Sequence, residues 1–350
     1  MERQTTAAVA TGRARHAASR PLRLSIIVEW ENSRLNGIPR AWLLFGALGR
    51  QWQAITERKY PATLPPEAAG FLERLSPRPE LVTVSGRVLS EDVRQEIRRR
   101  TAECFDLVIE VAEGLEYYPL KNHGARRATG DLLLFVDCDV LPDEGWLAHL
   151  LGSFARPDIH AIAGQTYVGP SDLFSRAFAL GWTYQLRDES GRLEPCRKFY
   201  GNNVAFKAEV FPEDGFPAIG PRTRGASSLL RKQLNRVGID VYQNSRAGVD
   251  HPAPSSYRHL VVRALAHGRD SYMTDSTERH ARALGLSLGT AGSRLVRGFK
   301  STFRNRHRVG LEWWQIPASL AIIGTYYGFF ALGGILTHLA PTAMGRRFRV

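Results

Sequence analysis

An open α/β sheet with helices on its faces is the fold this sequence predicts, and three observations predict it. Between Leu22 and Val168, short apolar runs alternate with longer, more polar ones at the spacing of strand–helix–strand units. One apolar run, Leu132 to Val136, ends in Asp137-Cys138-Asp139, an acidic pair just where ligands of open α/β sheets collect. The chain has 350 residues and is 43% hydrophobic, enough to bury a substantial core.

Taken in order, Leu22 to Trp30 reads as a buried first strand ending near Glu29, Glu31 and Asn32, and Gly37 to Gln53 as the helix after it. Glu80 to Ser85 is the second strand, Glu91 to Cys104 a charged helix and Leu107 to Val111 the third strand. Asn122 to Ala128 fits a helix on the sheet, with Gly124 and Ala128 on one side for close approach. Asp131 to Val136 is the fourth strand, Gly145 to Phe154 a helix and Ile159 to Val168 a fifth strand. Alternation of this kind predicts a mostly parallel sheet. Leu229 to Val237 is helical, and Val241 to Val249 is a strand returning toward the same end.

Strand side chains alternate faces, so Asp137 and Asp139 project together and can meet one hard divalent cation. Upstream stand Asn122-His-Gly124 and Ala128-Thr-Gly130-Asp131; downstream stand Pro142 and Gly145-Trp146-Leu147. In this combination the chain resembles the family-2 glycosyltransferases, inverting enzymes of the GT-A fold, from about Leu24 to about His251. The resemblance implies a nucleotide-diphosphate sugar donor and Mn²⁺ or Mg²⁺. It places Glu29, Glu31, Lys121, Asn122, Gly124 and Asp137 on the nucleotide-sugar side. Asp137 and Asp139 become metal ligands, with His251 as a third. The segment Arg197 to Lys207 is similar to the stretch that lines the acceptor side, which points to Tyr200, Gly201, Asn202 and Asn203. Asn donates and accepts hydrogen bonds, as a sugar hydroxyl requires, and Tyr200 suits an apolar sugar face.

Two departures stand out. Glu29 to Asn32 and Thr83 to Gly86 do not follow the family's base-contacting pattern, which leaves the nucleobase open. The family's Glu-Asp catalytic base belongs between the Gly215-Phe216 turn and the next helix, and no carboxylate stands there. The catalytic residue is therefore unassigned. A non-catalytic relative that binds a nucleotide sugar or scaffolds a membrane complex is the alternative.

Net charge is +13 and the pI about 10.0, with 47 Lys and Arg against 34 Asp and Glu. That excess suits phosphates or anionic headgroups. Nucleic acid is not expected, for want of a recognition helix or an aromatic platform. Cys104, Cys138 and Cys196 lie too far apart in sequence for a disulfide scaffold or a zinc site. Residues 1–21 read as a disordered tail without an apolar leader core, and 22–255 as the GT-A-like domain. Residues 256–310 read as basic amphipathic helices suited to membrane lipids. Residues 311–345 form an apolar segment, and 346–350 a basic tail. No Asp, Glu, Lys or Arg falls between Trp313 and Gly345, which predicts a transmembrane helix or a re-entrant pair broken at Gly333-Gly334. Gly324 and Gly328 offer a helix-mediated homo-oligomer contact. The expected function is membrane-anchored glycosyl transfer to a lipid-linked or envelope-glycan acceptor, the catalytic domain facing the cytoplasm.

Overall fold

The computed structural model describes residues 20–115, 117–218, 225–279 and 282–347. All but two residues of the expected N-terminal tail, the run Pro221 to Arg224 and the end of the basic tail lie outside them.

A nine-stranded sheet forms the centre. Its strands are β1 (Leu24–Glu29), β2 (Glu80–Ser85), β3 (Asp106–Val111), β4 (Leu132–Asp137), β5 (Leu141–Pro142), β6 (Ala161–Tyr167), β7 (Leu193–Pro195), β8 (Asn203–Lys207) and β9 (Val241–Asp250). The order is 3-2-1-4-8-6-9-5, with β7 also on β9. β3, β2, β1 and β4 are parallel neighbours, as predicted. Beyond β4 the sheet turns mixed: β8 runs antiparallel to both β4 and β6, and β5 and β7 are antiparallel to β9. The expectation of a mostly parallel sheet therefore holds for one half only, because β8 enters between β4 and β6 antiparallel to both, and β5 and β7 add antiparallel to β9.

Both faces of the parallel half are covered. Leu24, Ile26, Val28, Leu132, Leu134 and Val136 enter one core, while Ile27, Leu133 and Phe135 enter the other. A strand buried on two sides needs apolar residues at every position, which is why these runs are continuous. Helices α1 (Ile38–Thr56), α2 (Glu91–Thr101), α3 (Tyr117–Arg127), α4 (Trp146–Gly152), α5 (Leu173–Gly181) and α6 (Ala226–Arg236) cover the sheet and its rim. On α3 a Cβ at Gly124 would lie 2.5 Å from Ile27 Cγ2 and 2.9 Å from Val84 Cγ2. Only glycine admits this approach, so Gly124 seats α3 on the sheet.

The C-terminal third folds as α7 (Tyr257–Arg279), α8 (Ala283–Asn305) and α9 (Ile316–Leu339). They share a third core with α5, built on Phe178, Trp182, Leu260, Tyr326, Tyr327 and Phe330. α9 runs unbroken through Gly333 and Gly334, where the re-entrant alternative placed a break. Both glycines are contact points: a Cβ at Gly333 would stand 2.2 Å from the Leu265 carbonyl and one at Gly334 2.8 Å from the Ser287 hydroxyl, while on α7 one at Gly268 would stand 1.9 Å from the Phe330 carbonyl. α7 does not present a basic face to solvent throughout, since Arg263, Arg269 and Asp270 are buried.

On α4, His149 is buried beside Thr63, 3.1 Å from its hydroxyl, and burial with the nearby Arg246 pushes its pKa down to about 4. Unfolded, the same imidazole titrates near ~6.5. Between those values the unfolded chain binds the extra proton, so stability falls as pH drops through this window. From about pH 7 to about pH 5 the wild type should lose about 2 kcal/mol more than His149→Gln; parallel urea unfolding at the two pH values reads the difference.

Candidate active site

β1 and β4 lie side by side in register, with Glu29 opposite Asp137. Past that point the Cys138 amide bonds the Glu29 carbonyl at 3.1 Å, and the Cys138 thiol turns toward the Trp30 carbonyl at 3.3 Å, inside the core. Burial, with Glu29, Asp139 and Asp137 around it, drives the thiol pKa well up, so Cys138 is an inert packing residue. Asp137 and Asp139 are both fully buried, yet their surroundings differ. Asp137 Oδ1 accepts from Lys121 Nζ at 2.5 Å, while its Oδ2 accepts from Asn32 Nδ2 at 2.8 Å and the Tyr117 hydroxyl at 2.9 Å. Lys121 is itself fully buried and stands over the Tyr117 ring, 4.9 Å from its centre. Asp139 Oδ2 accepts one bond, from Asn36 Nδ2 at 2.6 Å, and its Oδ1 is buried without a partner. Arg40 holds the Asp139 carbonyl through Nε at 2.6 Å and reaches Asp250 with Nη2.

His251 follows β9 and is fully buried. Its Nδ1 lies 2.9 Å from the Pro252 carbonyl and its Nε2 3.4 Å from Arg263 Nη2. Nδ1 therefore carries the proton and Nε2 the lone pair. Burial, reinforced by the Arg263 charge, holds its pKa well below the usual value, so the ring is neutral.

A cavity of about 280 Å³ opens next to this centre, with Tyr117 on its wall. Tyr200, Gly201 and Asn202 line it, together with Lys198 and Thr183. Lys198 Nζ stands 4.5 Å from the Tyr200 ring centre and donates to the Thr183 hydroxyl at 2.8 Å. Asn203 does not line it. Asn203 Oδ1 accepts from Trp146 Nε1 at 2.8 Å, and its Nδ2 donates to the carbonyls of Gln165 (3.1 Å) and Ala247 (3.0 Å). These bonds brace the register shift of β6 on β9 at Gly164/Gln165.

Residues 108–216 match the Glycosyl transferase family 2 profile. Over that central segment the chain carries the signature of a family-2 glycosyltransferase module. Over 180 residues the chain is 25% identical to a glucosyl-dolichyl phosphate glucuronosyltransferase of Haloferax volcanii, covering 46% of this chain and 56% of that protein. The chain thus spans little more than half the length of this relative. The structure resembles a mannosyltransferase from Pyrobaculum calidifontis solved with GDP-mannose and Mn²⁺, with a TM-score of 0.52 and 15% identity over 96% of this chain and 95% of that one. That likeness places the module in the GT-A fold.

Within the family-2 module several predicted donor residues serve the framework. Asn122 spends its amide on one loop: Nδ2 donates to the Phe216 carbonyl and Oδ1 accepts from the Phe216 amide, both at 2.8 Å. The clamp fixes the Gly215 turn, whose φ of +72° leaves no room for a side chain. Glu31 accepts from the Gly86 amide at 3.0 Å and from Arg87 at 3.1 Å, tying the end of β2 to β1. Glu29 accepts from the Glu31 amide at 2.6 Å. Asp137, Asp139 and His251 do not assemble as one ligand set. Among the described residues no three His, Cys, Asp or Glu side chains gather around a common point, and the Asp137 charge is already matched by Lys121. What fits a divalent ion is the free Oδ1 of Asp139, a hard oxygen in a buried setting.

The sequence reading missed α7 as a site element. Arg263, His267, Asp270, Ser271, Thr274 and Asp275 recur at helical spacing and all line the cavity. Polar residues at that period usually mark a solvated face, so only the fold shows that this one looks inward. A larger hollow of about 730 Å³, lined by Arg40, Asp250 and residues of the Gly169–Ser175 loop, contains none of the predicted site residues.

The buried Lys121–Asp137 pair yields a direct test. Lys121→Met leaves a carboxylate uncompensated in the core and should cost about 3–5 kcal/mol. Adding Asp137→Asn to that variant should recover part of the loss, as read by denaturant midpoints of the three proteins.

Proposed function

We propose that the chain is an inverting glycosyltransferase that moves a sugar from a nucleotide-diphosphate donor to a lipid-linked or envelope-glycan acceptor at the cytoplasmic face of a membrane. The observation that carries this reading is Asp139: a buried carboxylate oxygen with no partner, just past the end of β4, two residues from a tyrosine-bridged ion pair that leads into a polar cavity. The family match and a relative named for a dolichyl-phosphate substrate support the reaction class and the lipid-linked acceptor.

Asp139 and His251 would hold Mn²⁺ or Mg²⁺, which when bound neutralises charge building on the leaving diphosphate. The acceptor hydroxyl occupies the cavity among Tyr200, Gly201 and Asn202. Its oxygen forms the new bond to the anomeric carbon from the side opposite the diphosphate, the old carbon–oxygen bond breaks, and the acceptor proton passes to a base. Among the described residues, the carboxylates on the cavity wall are Asp270 and Asp275, both on α7. Asp270 Oδ1 is engaged by Nε and Nη2 of Arg269 at 2.9 and 2.8 Å, which suits it to positioning. Asp275, further along α7 on the same wall, is the proton acceptor in this reading. Asp275→Asn should lower kcat about 10²–10⁴-fold with donor affinity unchanged. If kcat survives, the base is elsewhere.

The second reading, a non-catalytic relative, is favoured by one observation: no carboxylate stands between Gly215-Phe216 and α6. Calorimetric titration with UDP- and GDP-sugars, with Mn²⁺ and then EDTA, separates the two. Metal-dependent donor binding that disappears in Asp139→Ala, accompanied by sugar transfer, is the expected result. Binding without transfer or hydrolysis would establish the scaffold reading instead.

A further inference from the structure

From Trp313 to Leu339 the chain is long and apolar enough to cross a bilayer. Its packing points to another arrangement. Tyr326 and Phe330 lie toward the middle of α9, and there the helix is bonded to the transferase module. Trp182 Nε1 donates to the Tyr326 hydroxyl at 2.7 Å, His267 Nδ1 meets the same hydroxyl at 2.5 Å, and the Tyr327 hydroxyl donates to the Gly181 carbonyl at 2.7 Å. Arg294 stacks on Phe330, 5.6 Å from the ring centre. Gly181 presses on Ile323 and Gly268 on the Phe330 carbonyl so closely that neither pair leaves space for a Cβ. A spanning α9 would carry Trp182, His267 and Arg294, with the buried charges of α7 behind them, to the middle of the hydrocarbon layer, where charged groups are strongly disfavoured.

The outer face of α9 has a different character. Ala318, Ala321, Gly328 and Leu332 are exposed and uncharged, with open space around Gly324 and Gly328. Just before the helix Trp313 and Trp314 are 71% and 63% exposed, unusual for the largest apolar side chains and typical of a membrane interface. α8 beside it exposes Leu288, Val296 and Phe303, spaced about two turns apart, flanked by exposed Arg297, Lys300 and Arg304. An apolar stripe bordered by bases matches the boundary between acyl chains and anionic headgroups.

We propose that α8, the Trp313-Trp314 pair and the outer face of α9 together form a docking surface for an anionic bilayer, with α9 lying in the interface plane and not crossing it. The inference refines how the proposed transferase meets its membrane. Its test reads lipid binding, so its failure leaves the donor chemistry untouched.

The full chain is mixed with phosphatidylcholine vesicles with and without phosphatidylglycerol, and with membranes washed in alkaline carbonate. Expected are binding that requires phosphatidylglycerol, weakening in high salt and release by carbonate. The triple variant Arg297→Glu, Lys300→Glu, Arg304→Glu should bind at least about a hundredfold more weakly, at about fivefold per charge. Trp313→Ala with Trp314→Ala should weaken binding to the same vesicles without changing its salt dependence. Thermal midpoint and donor affinity, unchanged in both variants, certify their folding. Retention after carbonate would establish a spanning helix and overturn the proposal. So would self-association through the Gly324–Gly328 face with no vesicle binding.

Discussion

A buried ammonium–carboxylate pair, Lys121 with Asp137, is the constraint on which the rest of the site depends. Neither charge reaches water, so each is tolerable only because the other is there. The pair joins α3 to the end of β4, and it works only if α3 lies close enough to the sheet for a lysine to reach inward. Gly124, one turn further along the same helix, provides that closeness by resting on Ile27 and Val84. Asn122 then fixes the Gly215 turn from the same helix. One short helix thus sets the acidic strand end, the cavity wall through Tyr117 and Tyr118, and the loop that leads to α6.

The mixed half of the sheet solves a different problem. Where β6 shifts register against β9, backbone carbonyls would be left unpaired inside the protein, at a cost comparable to a lost hydrogen bond each. Asn203 answers with a two-donor amide directed at two of them and is in turn held by Trp146. Because that irregularity is braced, β9 can end with His251 beneath Arg263. The C-terminal helices complete the enclosure: α7 turns its polar stripe to the cavity, and glycines at 268 and 333 let it lie against α9.

Much of this was legible in the sequence. The continuous apolar strands, the acidic pair past β4, the helix before it and the apolar α9 all leave local patterns. Tyr200, Gly201 and Asn202, which the segment resemblance singled out, fall on one cavity wall. The antiparallel half was not legible, because β5 and β7 span two and three residues and leave no periodic signal. Gly124, Asn122 and Asn203 match a motif without disclosing whether they touch ligand or framework, since an amide bonds a sugar hydroxyl and a backbone carbonyl equally well. The inward stripe of α7 was hidden for the opposite reason: its composition is that of a solvated helix, and only tertiary packing turns Arg263 and Asp270 inside.

Asp137 and Asp139 show how spacing and electrostatics separate. Their period puts both on one side of the chain, and that alone suggests a matched pair of ligands. The fold then spends one of them. Asp137 accepts from an ammonium, an amide and a phenol, so its charge is neutralised and both its oxygens are occupied. Asp139 receives a single neutral amide and keeps one oxygen bare. A buried bare carboxylate oxygen is costly unless something cationic or hydrogen-bonding completes it, and the nearest titratable ring, His251, is held neutral and contributes no charge. The unmet demand in this centre is therefore for one cation at Asp139. Asp137 is thereby fixed in place beside Asp139, so the two carboxylates share a strand end but not an environment.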